Sequence, residues 1–231
     1  KQCELFQDWI SRRIKSEPAQ YIAGWTEFYG HRFNVNKSVL IPRAETEILV
    51  DVAIYTLQEL EKHQIVDIGT GSGCIAISVA AEIPSASVLG LDISPEALVI
   101  AEENASINKL LNVQFLQTDF LQFTPSEPVY DGLLMNPPYI PTNEMDTLMK
   151  EVRDYEPDLA LTDHEDGLTF YRHLADTAQK WVHPGGWLIL EVGLGEHPQK
   201  ATACFDTKGF AQLELIADFN TDDRILKVQV V

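Results

Sequence analysis

Cysteine is scarce in this chain: Cys3, Cys74 and Cys204 are the three in 231 residues. An odd, widely spaced set fits a reducing compartment better than a disulfide framework or a zinc site, and the three read as small apolar filler. Basic residues are scarce as well, with 17 Lys and Arg against 35 Asp and Glu and a formal net charge of −18. Such a field repels nucleic-acid phosphates and anionic lipid, so neither is expected as a partner. No apolar run reaches the ~18–20 residues that a membrane helix requires, and nothing at the start reads as a signal peptide. A soluble, cytoplasmic protein is expected. The six histidines show no paired ligand spacing, and no metal is expected. Asp163-His164-Glu165-Asp166 reads as a solvated acidic loop closed by Gly167.

What is present is an ordinary globular composition, 45% hydrophobic, at a length that one large α/β domain can occupy. Apolar runs alternate with helical patterns. Ile65 to Ile68 precedes a helix from about Gly73 to Ile83, and Val88 to Leu91 precedes a helix from Pro95 to Ile107. Two such units in series predict a parallel sheet with helices on its faces. Ser94-Pro95 is a strong helix start, and Leu98, Ala101 and Ala105 then face the core. Val113 to Leu116, Gly132 to Met135 and, after a Pro184-Gly185-Gly186 turn, Trp187 to Val192 supply further strands. Leu213 to Ala217 and Ile225 to Val231, joined through Asn220 to Asp223 without a helix, predict an antiparallel edge pair. Ahead of the sheet stand a hairpin within Tyr21 to Val39 and a helix from Glu45 through Tyr55 toward Leu60. The chain opens at Lys1 inside what reads as a helix (Leu5, Phe6, Trp9, Ile10, Ile14), so an upstream segment is expected to be missing.

Asp67-Ile68-Gly69-Thr70-Gly71-Ser72-Gly73 sits where the first core strand gives way to a helix, the place where glycine lets backbone approach a ligand. Its spacing is G-x-G-x-G, unlike the G-x-G-x-x-G of dinucleotide binders. A pyrophosphate would meet the Asp67 charge unfavourably, whereas a cofactor with an ammonium-bearing amino-acid tail would be attracted. Chemistry therefore favours S-adenosylmethionine. Asp92 ends the next strand, where a carboxylate accepts from ribose hydroxyls. Asp119-Phe120 follows the third strand and offers an adenine an acceptor and an aromatic face.

Asn136-Pro137-Pro138-Tyr139 follows the fourth strand, at the carboxyl edge where open α/β sheets bind ligands. Two prolines stiffen the segment and hold Asn136 extended. A planar NH2 group has two N–H donors, which the Asn136 side-chain oxygen and the Pro137 carbonyl can take one each, with Tyr139 stacked on the plane. Alignment with a sulfonium methyl in a dry site then supplies much of the rate.

The glycine loop and Asn136-Pro137-Pro138-Tyr139 together resemble the class I methyltransferases that modify planar exocyclic or amide nitrogens. Leu40-Ile41-Pro42-Arg43-Ala44-Glu45-Thr46-Glu47 narrows the likeness, being similar to the segment that precedes the core in the release-factor glutamine methyltransferases, the HemK or PrmC family. Ala44 stands where that family usually has proline. Tyr21-Ile22-x-Gly24, Glu27-Phe28-Tyr29-Gly30, Glu151-Val152-Arg153-x-Tyr155-Glu156-Pro157 and Asp166-Gly167-Leu168 extend the resemblance over nearly the whole chain. It implies a Rossmann-like α/β fold with a mostly parallel seven-stranded sheet and an antiparallel edge strand. It implies N5-methylation of the glutamine in the Gly-Gly-Gln loop of class 1 release factors, from S-adenosylmethionine with S-adenosylhomocysteine as product. Gly69 to Gly73, Asp92, Phe120 and Asn136 would bind the cofactor, and Asn136 to Tyr139 the glutamine. Residues 1–20 would be the end of a helical N-terminal domain, 21–39 a hairpin linker and 40–231 the catalytic domain, acting as a monomer on a protein substrate.

Four other readings share some of these features. A ribosomal-protein glutamine methyltransferase shares Asn-Pro-Pro-Tyr but differs around the Pro-Arg segment. A nucleic-acid exocyclic-amine methyltransferase suits the tetrapeptide, but the acidic charge opposes it, and Arg12-Arg13-Ile14-Lys15 reads as a solvated helix face. An NAD-dependent oxidoreductase is opposed by the loop spacing and by Asp67. A non-catalytic module would bind cofactor without turnover.

Overall fold

A computed structural model describes residues 2–58, 60, 63–206 and 208–231. The chain begins with helix α1 (Gln2–Ile14), a short α2 (Ala19–Ala23) and an antiparallel hairpin of β1 (Trp25–Phe28) and β2 (His31–Asn34). Then follow α3 (Glu47–Leu57), β3 (Gln64–Ile68), α4 (Cys74–Glu82), β4 (Ser87–Asp92), α5 (Pro95–Ile107), β5 (Val113–Gln117) and β6 (Tyr130–Met135). Two single turns, α6 (Lys150–Arg153) and α7 (Asp158–Leu161), precede α8 (Thr169–Trp181), β7 (Val182–Glu191), α9 (His197–Ala203), β8 (Gln212–Ala217) and β9 (Asp223–Gln229).

The seven core strands run in the order β5-β4-β3-β6-β7-β9-β8. From β5 to β7 every pair is parallel, and β9 is antiparallel to both β7 and β8. Successive residues of each central strand enter opposite cores. Val66 and Ile68 pack with α8, while Ile65 packs with α3 and α4; Leu133 and Met135 alternate with Leu134, and Leu188 and Leu190 with Ile189, in the same way. Burial on both faces is why these strands read as continuous apolar runs instead of alternating ones.

Ser94 caps α5, its Oγ accepting from the Ala97 amide at 3.1 Å, and Leu98, Ala101 and Ala105 are buried as their spacing predicts. The Pro184-Gly185-Gly186 segment departs from expectation. It lies inside β7 as a bulge: Val182 pairs with Tyr130 and Trp187 with Gly132, so the intervening residues loop out of register. Gly185 (φ 87°) turns this loop so that its amide donates to the Val230 carbonyl at 2.8 Å. Helix α8 had no counterpart in the sequence reading, although Tyr171, Leu174, Ala175, Ala178 and Trp181 bury one face of it. Helix α3 ends at Leu57; beyond it Glu59, Glu61 and Lys62, in the stretch read as continuing toward Leu60, lie outside the described residues.

Helix α1 buries no residue and exposes Leu5, Phe6, Trp9, Ile10 and Ile14. Its basic end is more than a solvated face. Arg13 pairs with Glu151 at 2.7 Å, Arg12 bonds Glu17, and the Tyr155 hydroxyl donates to the Lys15 carbonyl at 2.9 Å.

Asn104 on α5 joins the hairpin to the sheet. Fully buried, its Oδ1 accepts from the Asn34 amide at 2.7 Å, and its Nδ2 donates to the Asn34 carbonyl at 3.0 Å and the Ser72 carbonyl at 2.9 Å. Replacing it strands one donor and two acceptors away from water. Asn104→Leu is expected to cost about 2–4 kcal/mol in a denaturant titration.

Candidate active site

The sheet changes direction between β3 and β6. From β3 the chain steps outward to β4 and β5, then crosses back to β6 on the other side of β3. Ligands bind at such a reversal, outside the carboxyl ends of the strands. A cavity of about 310 Å³ opens there. The glycine loop from β3, Asp92 from β4, Asp119 and Phe120 after β5, and Asn136 and Pro138 after β6 all line it. Residues placed 69 positions apart in sequence thus share one wall.

The three glycines of the loop have positive φ but different surroundings. Nothing lies within 4 Å of where a Gly69 Cβ would stand, which leaves the cradle open to a ligand. A Gly73 Cβ would instead come within 2.9 Å of Ile77 Cδ1, so that glycine serves helix packing and does not line the cavity. The Gly71 amide donates to Asp92 Oδ2 at 2.8 Å, and the Ser94 amide to Oδ1 at 2.9 Å. Burial raises the carboxyl's pKa against the pull of these amides and that of Ile93.

Asp67 is fully buried behind the loop and does not line the cavity. Thr70 Oγ1 donates to its Oδ2 at 2.6 Å, while Oδ1 has no partner. Burial pushes its carboxyl up to about 7, with the Thr70 hydroxyl and Ala76 amide opposing and Asp92 adding to the rise. Asp119 accepts from the Leu121 amide at 3.0 Å and from Gln122 Nε2 at 2.7 Å. Phe120 lies parallel to Phe170 at 6.1 Å and receives the His173 ring edge at 4.9 Å. Phe170, which sequence reasoning had not marked, lines the cavity beside it.

Asn136 and Pro138 face the cavity, whereas Pro137 and Tyr139 do not line it. Asn136 Nδ2 donates to Thr46 Oγ1 at 3.2 Å, and Thr46 Oγ1 donates to Glu191 Oε2 at 2.6 Å. The Tyr139 hydroxyl donates to Glu191 Oε1 at 3.2 Å, and burial raises its pKa. Glu191, at the end of β7, was passed over in the sequence because a single acidic residue after an apolar strand carries no local signal. Burial raises its pKa against the bonds from Thr46 and Tyr139 and the charge of Arg224.

The remaining family-like segments meet here as well. Arg43 pairs with the buried Glu156 at 2.6 Å, joining the Pro42-Arg43 stretch to the Tyr155-Glu156-Pro157 stretch at the cavity wall. The acidic loop is also more than solvated. Asp163 accepts from the amides of Glu165, Gly167 and Thr169 at 2.9–3.0 Å. Burial opposes its ionisation, but these donors prevail and lower its pKa. Gly167 (φ 81°) thereby lies flat on the tetrapeptide, where a Cβ would stand 2.2 Å from the Tyr139 carbonyl oxygen. His197 locks the contact. Its Nδ1 accepts from the Gly193 amide at 3.0 Å, which leaves Nε2 to donate to the Gly167 carbonyl at 3.2 Å. Burial lowers its pKa and favours this neutral form.

Residues 45–152 match the family model of the methyltransferase small domain. Among solved structures, the catalytic domain of hMettl16 in complex with an RNA hairpin superposes with a TM-score of 0.71 at 14% identity, over 92% of this chain and 81% of that one. A methyltransferase from Pyrococcus furiosus gives 0.60 at 16% identity, over 87% and 90%. Fold and site together define a methyltransferase of the Rossmann-like class I type. Release factor glutamine methyltransferases of Fusobacterium nucleatum, Geobacter sulfurreducens and Thermodesulfovibrio yellowstonii are 41%, 39% and 37% identical, over 94%, 94% and 99% of this chain. The chain belongs to the release factor glutamine methyltransferase family. It spans 61% of the length of the Fusobacterium relative, 75% of the Geobacter one and 82% of the Thermodesulfovibrio one.

The Gly167 contact yields a direct test. Gly167→Ala combines a left-handed backbone with a backbone collision at Tyr139, so it is expected to lower the melting temperature by several degrees and methyl transfer by more than ~10-fold. Thermal unfolding and turnover, measured on the same preparation, check both.

Proposed function

We propose that this chain transfers a methyl group from S-adenosylmethionine to the side-chain amide nitrogen, N5, of the glutamine in the Gly-Gly-Gln motif of class 1 peptide-chain release factors. The observation that carries the reading is the convergence of the glycine loop and Asn136 on one cavity at the strand-order reversal. Family membership supplies the choice of acceptor, since relatives over 75% and 82% of whose length the chain aligns bear that name.

The residues present fit S-adenosylmethionine. Open space above Gly69 admits the amino-acid tail close to backbone, and the Asp92 carboxylate in the cavity wall suits a ribose diol. Phe120 and the Asp119 backbone turn bound the adenine end. Asp67 acts through Thr70, bracing the loop from behind. Gly69, Thr70, Gly71 and Ser72 form the cradle itself, with Gly73 seating it on α4.

When bound, S-adenosylmethionine would supply an electrophilic methyl on sulfur; transfer replaces one amide N–H bond by N–CH3, with the proton lost ultimately to solvent and S-adenosylhomocysteine left as product. Asn136 Oδ1 and the Pro137 carbonyl accept the two N–H bonds of the glutamine amide, so that the nitrogen's remaining face points at the methyl. Pro137 and Pro138 hold that geometry rigidly, and Tyr139, packed against His197 instead of lining the cavity, anchors the segment through its hydroxyl bond to Glu191. Alignment and exclusion of water by the apolar walls provide the acceleration.

Residues 40–231 form the catalytic domain in this reading, 21–39 a hairpin linker and 1–20 the end of a helical N-terminal domain; the exposed apolar face of α1 supports the last. A release-factor substrate places the enzyme in the cytoplasm, acting as a monomer with no nucleic-acid or membrane partner. No described helix is long and apolar enough to cross a membrane.

Transfer of labelled methyl to a purified class 1 release factor, beside a Gln→Ala variant of its Gly-Gly-Gln loop, tests the reading. Label in the wild-type factor alone is expected; label in both would move the acceptor elsewhere. Asn136→Ala is expected to lower kcat by ~10²-fold or more. Asp92→Ala should chiefly weaken S-adenosylhomocysteine binding, read by calorimetry, by ~10-fold or more from the lost charged hydrogen bonds.

A further inference from the structure

The amide of Asn136 is chemically two-sided, with an acceptor on one edge and two donors on the other. Either edge fits the same slot. Only the orientation with Oδ1 outward accepts from a substrate NH2 group, so something must fix the direction. The tetrapeptide cannot do this by itself, because Pro137 and Pro138 have no backbone N–H to offer Oδ1.

The geometry points to Glu191 as a positioning residue that, through Thr46, sets the direction in which Asn136 presents its amide. This rests on the proposed role of Asn136 as an acceptor for the substrate nitrogen. Burial raises the Glu191 pKa, while the Thr46 and Tyr139 hydroxyls and the Arg224 charge favour its ionised form; that form only accepts, so Thr46 spends its one hydrogen on Oε2, 2.6 Å away. Lone pairs are then all that Thr46 Oγ1 has left for its other neighbour. Asn136 therefore turns Nδ2 toward it, at 3.2 Å, and Oδ1 away from it.

The carboxylate does the same at the far end of the segment. Its second oxygen accepts from the Tyr139 hydroxyl at 3.2 Å, and the Glu191 main-chain carbonyl accepts from Tyr171 at 2.6 Å. Glu191 is 2% exposed. A charge in that position is costly compared with a neutral residue of the same size, and packing alone does not call for it. What a carboxylate has and a glutamine lacks is an acceptor on both oxygens. With an amide at 191, either Thr46 or Tyr139 would face a donor and have to reverse; in the orientation that turns the NH2 group to Thr46, the Thr46 hydrogen is freed for Asn136 Oδ1 and the reactive amide can flip. Thr46 reaches this position from the 3-10 turn Ala44–Thr46, held over the site by the Arg43–Glu156 pair. The Thr of the Glu45-Thr46-Glu47 signature thus acquires a specific task.

Thr46→Val, Thr46→Ser, Glu191→Gln and the double variant Thr46→Val/Glu191→Gln test this on the full chain. For Thr46→Val and Glu191→Gln, kcat for release-factor methylation is expected to fall by ~10–100-fold, with KM and S-adenosylhomocysteine affinity within ~3-fold of wild type. Thr46→Ser, which keeps the hydroxyl, should restore most of kcat. The double variant should be no worse than the poorer single one, because both break one chain of bonds. Hydrogen exchange of the Asn136 side-chain NH2 group, assigned by its loss in Asn136→Ala, gives a readout without substrate: slow in wild type, fast in Thr46→Val and Glu191→Gln.

Unchanged kcat in Thr46→Val, a Thr46→Ser loss as deep as that of Thr46→Val, additive losses in the double variant, or equally fast exchange in wild type would each overturn the assignment. A wild-type chain that binds S-adenosylhomocysteine and protects the Asn136 amide, yet leaves release factors unlabelled, would support it while refuting the proposed acceptor.

Discussion

The register between β3 and β6 is the constraint on which the site depends. Ile68 pairs with Met135 in a parallel ladder, so the chain leaves both strands at the same level, at Gly69 and Asn136. Parallel neighbours cannot be joined by a tight turn; here α4, β4, α5 and β5 occupy the intervening sequence. A slip of one residue would turn every side chain of β6 to the opposite core. It would also withdraw Asn136 from the cradle by a strand step of ~3.3 Å. Gly132 belongs to the same constraint. Its missing side chain admits Leu57 of α3, which would lie 2.7 Å from a Cβ there.

Around that register, buried polar side chains tie together segments distant in sequence. Asn104 joins hairpin and glycine loop, Glu156 joins the two walls of the cavity mouth through Arg43, and Glu191 joins Thr46 to Tyr139. Each carries a desolvation penalty that hydrogen bonds offset only in one arrangement. Hydrophobic burial makes the domain stable, while these groups select one geometry for it. The site is accordingly held from behind, with Asp67 bracing Thr70 and His197 bridging Gly193 and Gly167.

In the proposed mechanism the cofactor, the substrate amide and the protein's own polar network meet at Asn136. Its outward edge belongs to substrate in the proposed mechanism and its inward edge to Thr46. A reaction that depends on alignment more than on acid–base activation places its demands on such indirect supports. That accounts for the spread of family-like residues over the whole chain, well beyond the cofactor loop.

The sequence by itself determined the alternation of strand and helix, the capped start of α5 at Ser94, the glycine loop and the Asn136 segment, because each is written in local chemistry. Period, proline and glycine are properties of neighbouring residues. Only the tertiary structure decided that Pro184 to Gly186 bulge within β7, that Asp163 organises a turn against the tetrapeptide, and that Gly73 packs while Gly69 stays open. It alone brought Thr46, Asn136 and Glu191 within hydrogen-bond reach across 90 and 145 positions of sequence. A contact of that kind leaves no local trace, since its partners are chosen by strand order and register and not by the residues beside them.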